Sequence, residues 1–558
     1  MNVPRLARAD NWDPVPGFAG AGDGVVNGGG GNWDVFSPNW TNDGGFSNVT
    51  WTNGNFASFG GTAGGFVTIV GGSGVVAGGL SFDPTSDGST YLLQSQTAAD
   101  VLTLAGPQVF ANADAIINAT LGGSAGLTKL GAGTLTLGGA NTFSGPVSVA
   151  GGRLRVASAA NLGTADSLIL DGGGIFESTG ALIFGGTVSI APGGGTISLA
   201  NPGSAVVLSG LLFGNGPLTV DGSGGGVLAV TNPGNFNGSG NGFTGSVSLV
   251  GGGSASLSYP IVAPAGQVFS ASGGTLALGG SVAGATVSLS SGSLVQASGN
   301  GIVQVSGRSL SSGVGVIVGG DVLAQAGGRI EIGDGQDDSA QILFQNSSHL
   351  TADGGTIVLR PRVAPLSLDA GSVGAVAVGN GGVLALGAGA TADLAINFDV
   401  QQSGAWTLAN QSNNTLRIGA GSQDTTEGLT LSAQSGVIRY EADTINLGQE
   451  IANGTVAVDL RGGTVDISND APGRTFTYSP GYVVSGWGQL GTSAANQAHL
   501  IPPGGATFYA SGPAAIAPTL AIVGGISEPF GSKAAFRIGD NNGISLTVSN
   551  ATAATAYP

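Results

Sequence analysis

Short alternating segments of three to six residues recur through almost the whole chain, separated by Gly pairs or Asn/Asp-Gly. Examples are Thr134-Leu-Thr-Leu137, Arg153-Leu-Arg-Val156, Ser167-Leu-Ile-Leu170, Thr187-Val-Ser-Ile190, Thr275-Leu-Ala-Leu278, Arg329-Ile-Glu-Ile332 and Thr356-Ile-Val-Leu359. A period of two places Leu, Val and Ile on one side of a strand and Thr, Ser, Ala and Arg on the other. Glycine supplies the positive φ that sharp corners need. No long capped i, i+3, i+4 apolar pattern interrupts the series, so helices are expected to be nearly absent.

Two all-β architectures can use such segments. A set of sandwiches or barrels would need three or more domains for 558 residues, with linkers between them. No Pro-rich or charged linker is present, and composition does not shift along the chain. The strands recur without a break, which favours a parallel β-solenoid whose coils stack on one core column. With about 20–25 residues per coil the chain would make roughly 22–28 coils, an elongated rod on the order of 110–130 Å at the spacing of neighbouring strands.

Composition removes several function classes. Gly occurs 107 times, but without a Gly-X-Y period, so the chain is not collagen. Hydrophobic residues are 41% and charged ones 8%, the reverse of a disordered composition. Apolar runs such as 375–390 are broken by Gly, so no transmembrane helix is expected. Cysteine is absent, which excludes disulfides and Cys-ligated zinc. Fifteen basic residues against 32 acidic ones give a net charge of −17, and only Lys129 and Lys533 are lysines. No basic stripe can displace counterions from nucleic acid, and anionic membrane surfaces would repel the chain. Residues 1–10 lack the apolar stretch of a signal peptide. Ala7-Arg8-Ala9 fits a small-x-small cleavage site, so this segment reads either as a leader remnant or as a disordered N-terminus.

One segment is more specific than the strand grammar. Gly126-Leu-Thr-Lys-Leu-Gly-Ala-Gly-Thr-Leu-Thr-Leu137, Ala140-Asn-Thr-Phe-Ser-Gly145, Val147-Ser-Val149, Gly151-Gly-Arg-Leu-Arg-Val156 and Asn161-Leu-Gly163 follow one another. Residues 124–163 resemble the autotransporter-associated β-strand repeat of bacterial autotransporter passenger domains. A degenerate copy spans 215–253, through Leu218-Thr-Val220, Val227-Leu-Ala-Val230, Phe243-Thr-Gly245 and Val247-Ser-Leu249. Leu135 to Phe143 is 8 positions and Leu228 to Phe243 is 15, so this copy carries a Gly- and Asn-rich insertion expected to form a loop. The prelude with Trp33, Trp40, Trp51, Phe59 and Phe82 also resembles that of the family.

The resemblance implies a right-handed parallel β-helix, secreted or held at the bacterial cell surface. It divides the chain into the N-terminal segment 1–10, a cap at 11–65 and a continuous solenoid at 66–558. The family's C-terminal barrel would need a series of strands of about 10 residues, and residues 548–558 do not follow such a series. The chain is therefore expected to be a mature passenger, a fragment or a secreted relative that never had a barrel.

Candidate chemistry is sparse. Trp12, Trp33, Trp40 and Trp51 crowd the first 51 residues; they read as a cap over the first open coil or as a carbohydrate-stacking platform. Asp334, Asp337 and Asp338 allow three readings: a solvated turn between Ile332 and Ile342, a Ca²⁺ site, or acid–base catalysis as in pectin-hydrolysing β-helices. The partner motifs of those enzymes are missing, and neither His349 nor His499 lies in a triad context. Asp540-Asn-Asn-Gly543 reads as a turn, and Asn141 is expected to stack with polar neighbours of adjacent coils. No catalytic residue, cofactor or metal ligand is assigned. The expected function is a non-enzymatic adhesin or matrix scaffold, with surface glycans or host and matrix components as partners. The alternatives are a filament subunit that associates end to end and a polysaccharide-processing enzyme.

Overall fold

The computed structural model describes residues 9–14, 22–236, 242–257, 260–279, 286–307, 314–333, 341–345, 347–369, 372–396, 401–403, 406–418, 429–440, 444–447, 456–466, 475–478, 483–490, 499–501, 507–511, 519–523, 535–538 and 545–549. These residues form β-strands, turns and two short 3-10 segments, Gly72–Gly74 and Ala159–Leu162, and among them there is no α-helix. The chain separates into two compact units, Met1–Ser258 and Tyr259–Pro558.

In the first unit each coil contributes up to three strands, and strands pair in parallel with their counterparts in neighbouring coils; at the N-terminal end Ala9–Trp12 and Trp40–Thr41 pair antiparallel. One side stacks Phe56–Phe59, Gly79–Phe82, Gln108–Ala111, Leu127–Leu130, Val147–Val149, Ser167–Leu170, Thr187–Ile190 and Leu212–Gly214. The second side stacks Phe66–Ile69 through Thr134–Leu137 and Arg153–Val156 to Val247–Val250. The third holds Val75–Ala77, Val101–Leu104 and Thr120–Gly122, and, further along, Ala181–Phe184, Ala205–Leu208, Val227–Val230 and Ser254–Leu257. The chain is therefore an all-β parallel β-solenoid, as the alternating segments predict.

Side-chain facing follows from burial. Leu135, Leu137, Leu228 and Val230 are in the interior, whereas Thr134, Thr136 and Ala229 point outward and are half-buried. Each buried leucine is worth about 1.5–3 kcal/mol over exposure, whereas a buried threonine hydroxyl without a partner costs about 1–3 kcal/mol. Corners turn on glycine: Gly131 has φ 80°, and a Cβ there would lie 2.6 Å from the Ala111 carbonyl oxygen.

One expectation is corrected. The coils do not all keep to the roughly 20–25 residues expected of such a repeat. Val109 pairs with Lys129 and Lys129 with Val149, which fits that length, but Leu80 pairs with Val109 and so closes a longer coil. In the second unit Thr275 pairs with Ile302 and Val287 with Val316, again across longer coils. The loops that lengthen these coils carry no alternation, so the pattern of the strands does not count them. The degenerate repeat copy occupies different sides of its coil from the first. Leu127–Leu130 and Thr134–Leu137 occupy the first and second sides, whereas Leu218–Asp221 and Val227–Val230 occupy the second and third. The copy is thus advanced by one side, although inward and outward facing is kept.

The second unit repeats the scheme with Ile261–Ala263, Val268–Ala271 and Thr275–Gly279 and their successors. Strands Thr356–Leu359, Gly382–Leu386 and Trp406–Asn410 depart from one-sided burial. Ile357, Leu384 and Leu408 are buried, and so are Val358, Ala385 and Ala409 on the opposite face, which pack on one another.

Candidate interaction surface

The segment that resembles the repeat builds two successive coils. The third side of the first is closed by asparagine rather than by a strand. Asn141 Oδ1 accepts the Leu121 N–H at 2.8 Å, and its Nδ2 donates to the Asn161 carbonyl at 2.6 Å in the next coil. Asn161 Nδ2 donates back to the Gly139 carbonyl at 2.9 Å, and its Oδ1 accepts the N–H groups of Ala157 and Ser158. Both amides are buried with all these bonds made, so Asn141 and Asn161 serve as coil-to-coil connectors.

The outward row of the second side runs Thr134, Arg153, Ile175, Thr196, Thr219 and Ser248, one residue per coil. A parallel row runs Thr136, Arg155, Glu177, Ser198, Asp221 and Val250. Arg153 and Arg155 both form ion pairs with Glu177, whose side chain is only 5% exposed. Ser198 Oγ donates to Asp221 at 3.1 Å. Burial tends to raise the Asp221 carboxyl, but the bonds from Ser223 and Ser198 and the charge of Arg153 together hold it below its ordinary value. In the second unit Glu331 is placed similarly. It accepts from Arg329 at 2.6 Å, from Arg360 at 3.0 Å and from Gln304 at 3.2 Å. Burial would raise it, but the two guanidinium groups outweigh that and bring it down to about 2.

The tryptophans offer no stacking platform. Trp12, Trp33, Trp40 and Trp51 are at most 3% exposed. They pack on one another, with ring centroids 4.5 Å apart for Trp40 and Trp51 and 5.0 Å for Trp12 and Trp40. Phe59 joins the same cluster. The exposed rings of this region are Phe36 and Phe46, in bends, and Phe66, on the outward side at the start of the strand Phe66–Ile69.

Of the residues weighed for chemistry, Asp334, Asp337 and Asp338 lie outside the described residues, as does Asp540-Asn-Asn-Gly543. His349 is exposed, and its Nδ1 lies 2.7 Å from Asp321 Oδ1 of the preceding coil, a pair that links coils on the surface. His499 begins the strand His499–Ile501. Among the described residues no group of three or more His, Cys, Asp or Glu is placed to hold a metal ion. No helix there is long and apolar enough to cross a membrane.

The family model described as the passenger-associated transport repeat matches residues 127–156, the two coils described above. The chain is also similar to the adhesin BmaC autotransporter of Brucella suis biovar 1 (strain 1330), 38% identical over 191 residues. That match covers 33% of this chain but 5% of the relative's length. No solved structure matches the chain. Over the repeat at 127–156 and over the 191 matched residues, the chain is similar to bacterial autotransporter passengers.

Proposed function

We propose that the chain is a passenger presented outside the bacterial cell, where it acts in adhesion through many weak contacts along its coils. The observation that carries this reading is the outward row Thr134, Arg153, Ile175, Thr196, Thr219 and Ser248, which repeats mostly polar side chains at one-coil spacing. Contacts that repeat along a scaffold raise avidity without any one of them being strong. The similarity to a protein named an adhesin supports the same reading. Surface glycans or host and matrix components are the partners this surface suits. On this reading it acts without catalysis.

Display of the chain on a non-adherent bacterium tests the proposal. Adherence to host cells or matrix-coated surfaces should rise, and the purified chain added in excess should compete it away. Unchanged adherence, or cleavage of a polysaccharide by the purified chain, would overturn it.

A further inference from the structure

One inward column of the first unit runs Leu80, Val109, Lys129, Val149, Leu170 and Ile190, by register from coil to coil. Every member is fully buried, and every member but Lys129 is aliphatic. The lysine stem takes the place of a leucine. The ammonium reaches the glycine corner, where it donates to the carbonyl oxygens of Leu130 at 2.9 Å and Gly131 at 2.8 Å. A third bond goes to the Gly151 carbonyl at 3.1 Å, which belongs to the next coil. Among the described residues no carboxylate is paired with it; Asp114 acts on it only through space.

A buried charge is a poor device for stability, since an apolar side chain of similar volume often does as well or better. It is a good device for choosing what may cover it. When the coil 147–156 is not yet docked, Leu127–Leu130 is an open strand edge, ready to pair with any exposed strand. The ammonium then has two carbonyls and water. A strand that covers it without bringing a carbonyl to the position of Gly151 seals it from water with one donor unmet.

We propose that Lys129 is an inward-facing gatekeeper. It lets the chain's own coil 147–156 dock on coil 127–137 and disfavours pairing of that edge with a foreign or out-of-register strand. Charges pointing inward from edge strands oppose aggregation in this way, and incompletely stacked intermediates are where a large β-protein is most exposed to it.

The test refolds the full chain from urea by dilution over a range of chain concentrations. Lys129→Met keeps the reach of the side chain and removes the charge. Soluble monomer and aggregate are separated by size exclusion. Native and variant are compared at urea concentrations that leave each folded to the same extent, so that lost stability alone cannot produce the difference. The variant should keep or raise its unfolding midpoint, while its aggregated fraction rises several-fold and more steeply with concentration. If Lys129→Met does not refold, Lys129→Gln, which keeps amide donors for the carbonyls without a charge, is read in the same way. An aggregated fraction equal to that of the native chain, in whichever variant folds, overturns the proposal.

Discussion

Leu135→Asp and Thr136→Asp place the same carboxylate one residue apart and on opposite sides of one strand. Leu135 is fully buried and stacks between Ala115 and Leu154 of the neighbouring coils. Its loss removes about 1.5–3 kcal/mol of burial, and a carboxylate in its place adds a desolvation penalty of several kcal/mol. Lys129 cannot compensate, because its ammonium is already held by three carbonyls at the corner. The sum, about 5 kcal/mol or more, is large against the coupling of one coil to its neighbours, so the coils around 115–156 should open locally. Thr136 faces outward opposite Arg155, whose side chain is 43% exposed. An aspartate there gains about 0–1 kcal/mol from that guanidinium, so the variant should be neutral or slightly stabilised. Limited proteolysis with mapped cleavage sites reads the difference. Cuts near residue 135 in the Leu135 variant, and none in the Thr136 variant, are expected. The opposite result would show that the strand faces the other way.

Three further outcomes follow from the charges. Glu177→Gln leaves Arg153 and Arg155 without their shared partner; because both arginines reach solvent, the cost should be about 1–3 kcal/mol, below that of breaking a fully buried pair, and a urea midpoint measures it. Glu331 has its folded pKa depressed to about 2 from 4.5, so its contribution is present above pH 4.5 and lost as pH falls through 2; Glu331→Gln should flatten that part of an acid-unfolding curve. For Lys129, burial lowers the amine from 10.5 to about 8, so between these values the unfolded chain binds more protons and stability should rise with pH. Lys129→Met should abolish that rise in thermal midpoints measured from pH 8 to 10.5.

How much of this was legible depends on the residue. The facing of Leu135 and Thr136 was, because alternation alone decides it. Lys129 shares the parity of Leu127, so its inward direction is in the pattern, but the three carbonyls that make burial tolerable come from a corner whose path is set by Gly131 and Gly152, both with positive φ. Arg153 and Arg155 read as outward. Their partner Glu177 does not, since it lies one coil on and is found only when the coil length is known. The side occupied by Val227–Val230 was hidden for a related reason: a period of two distinguishes in from out but not one side of a three-sided coil from the next. Val358 and Ala385 were hidden because burial of an outer face depends on what packs over it.

The register of the coils is the central claim, and a chain without cysteine allows a direct measurement of it. Thr196 and Thr219 are neighbours in adjacent coils, with Ser248 one coil further in the same outward row. Nitroxide labels on Thr196→Cys and Thr219→Cys should lie about 5 Å apart at the backbone and show strong spin–spin broadening, against about 10 Å and much weaker coupling for Thr196→Cys with Ser248→Cys. Equal broadening in the two pairs, or none in the first, would contradict the stacking described.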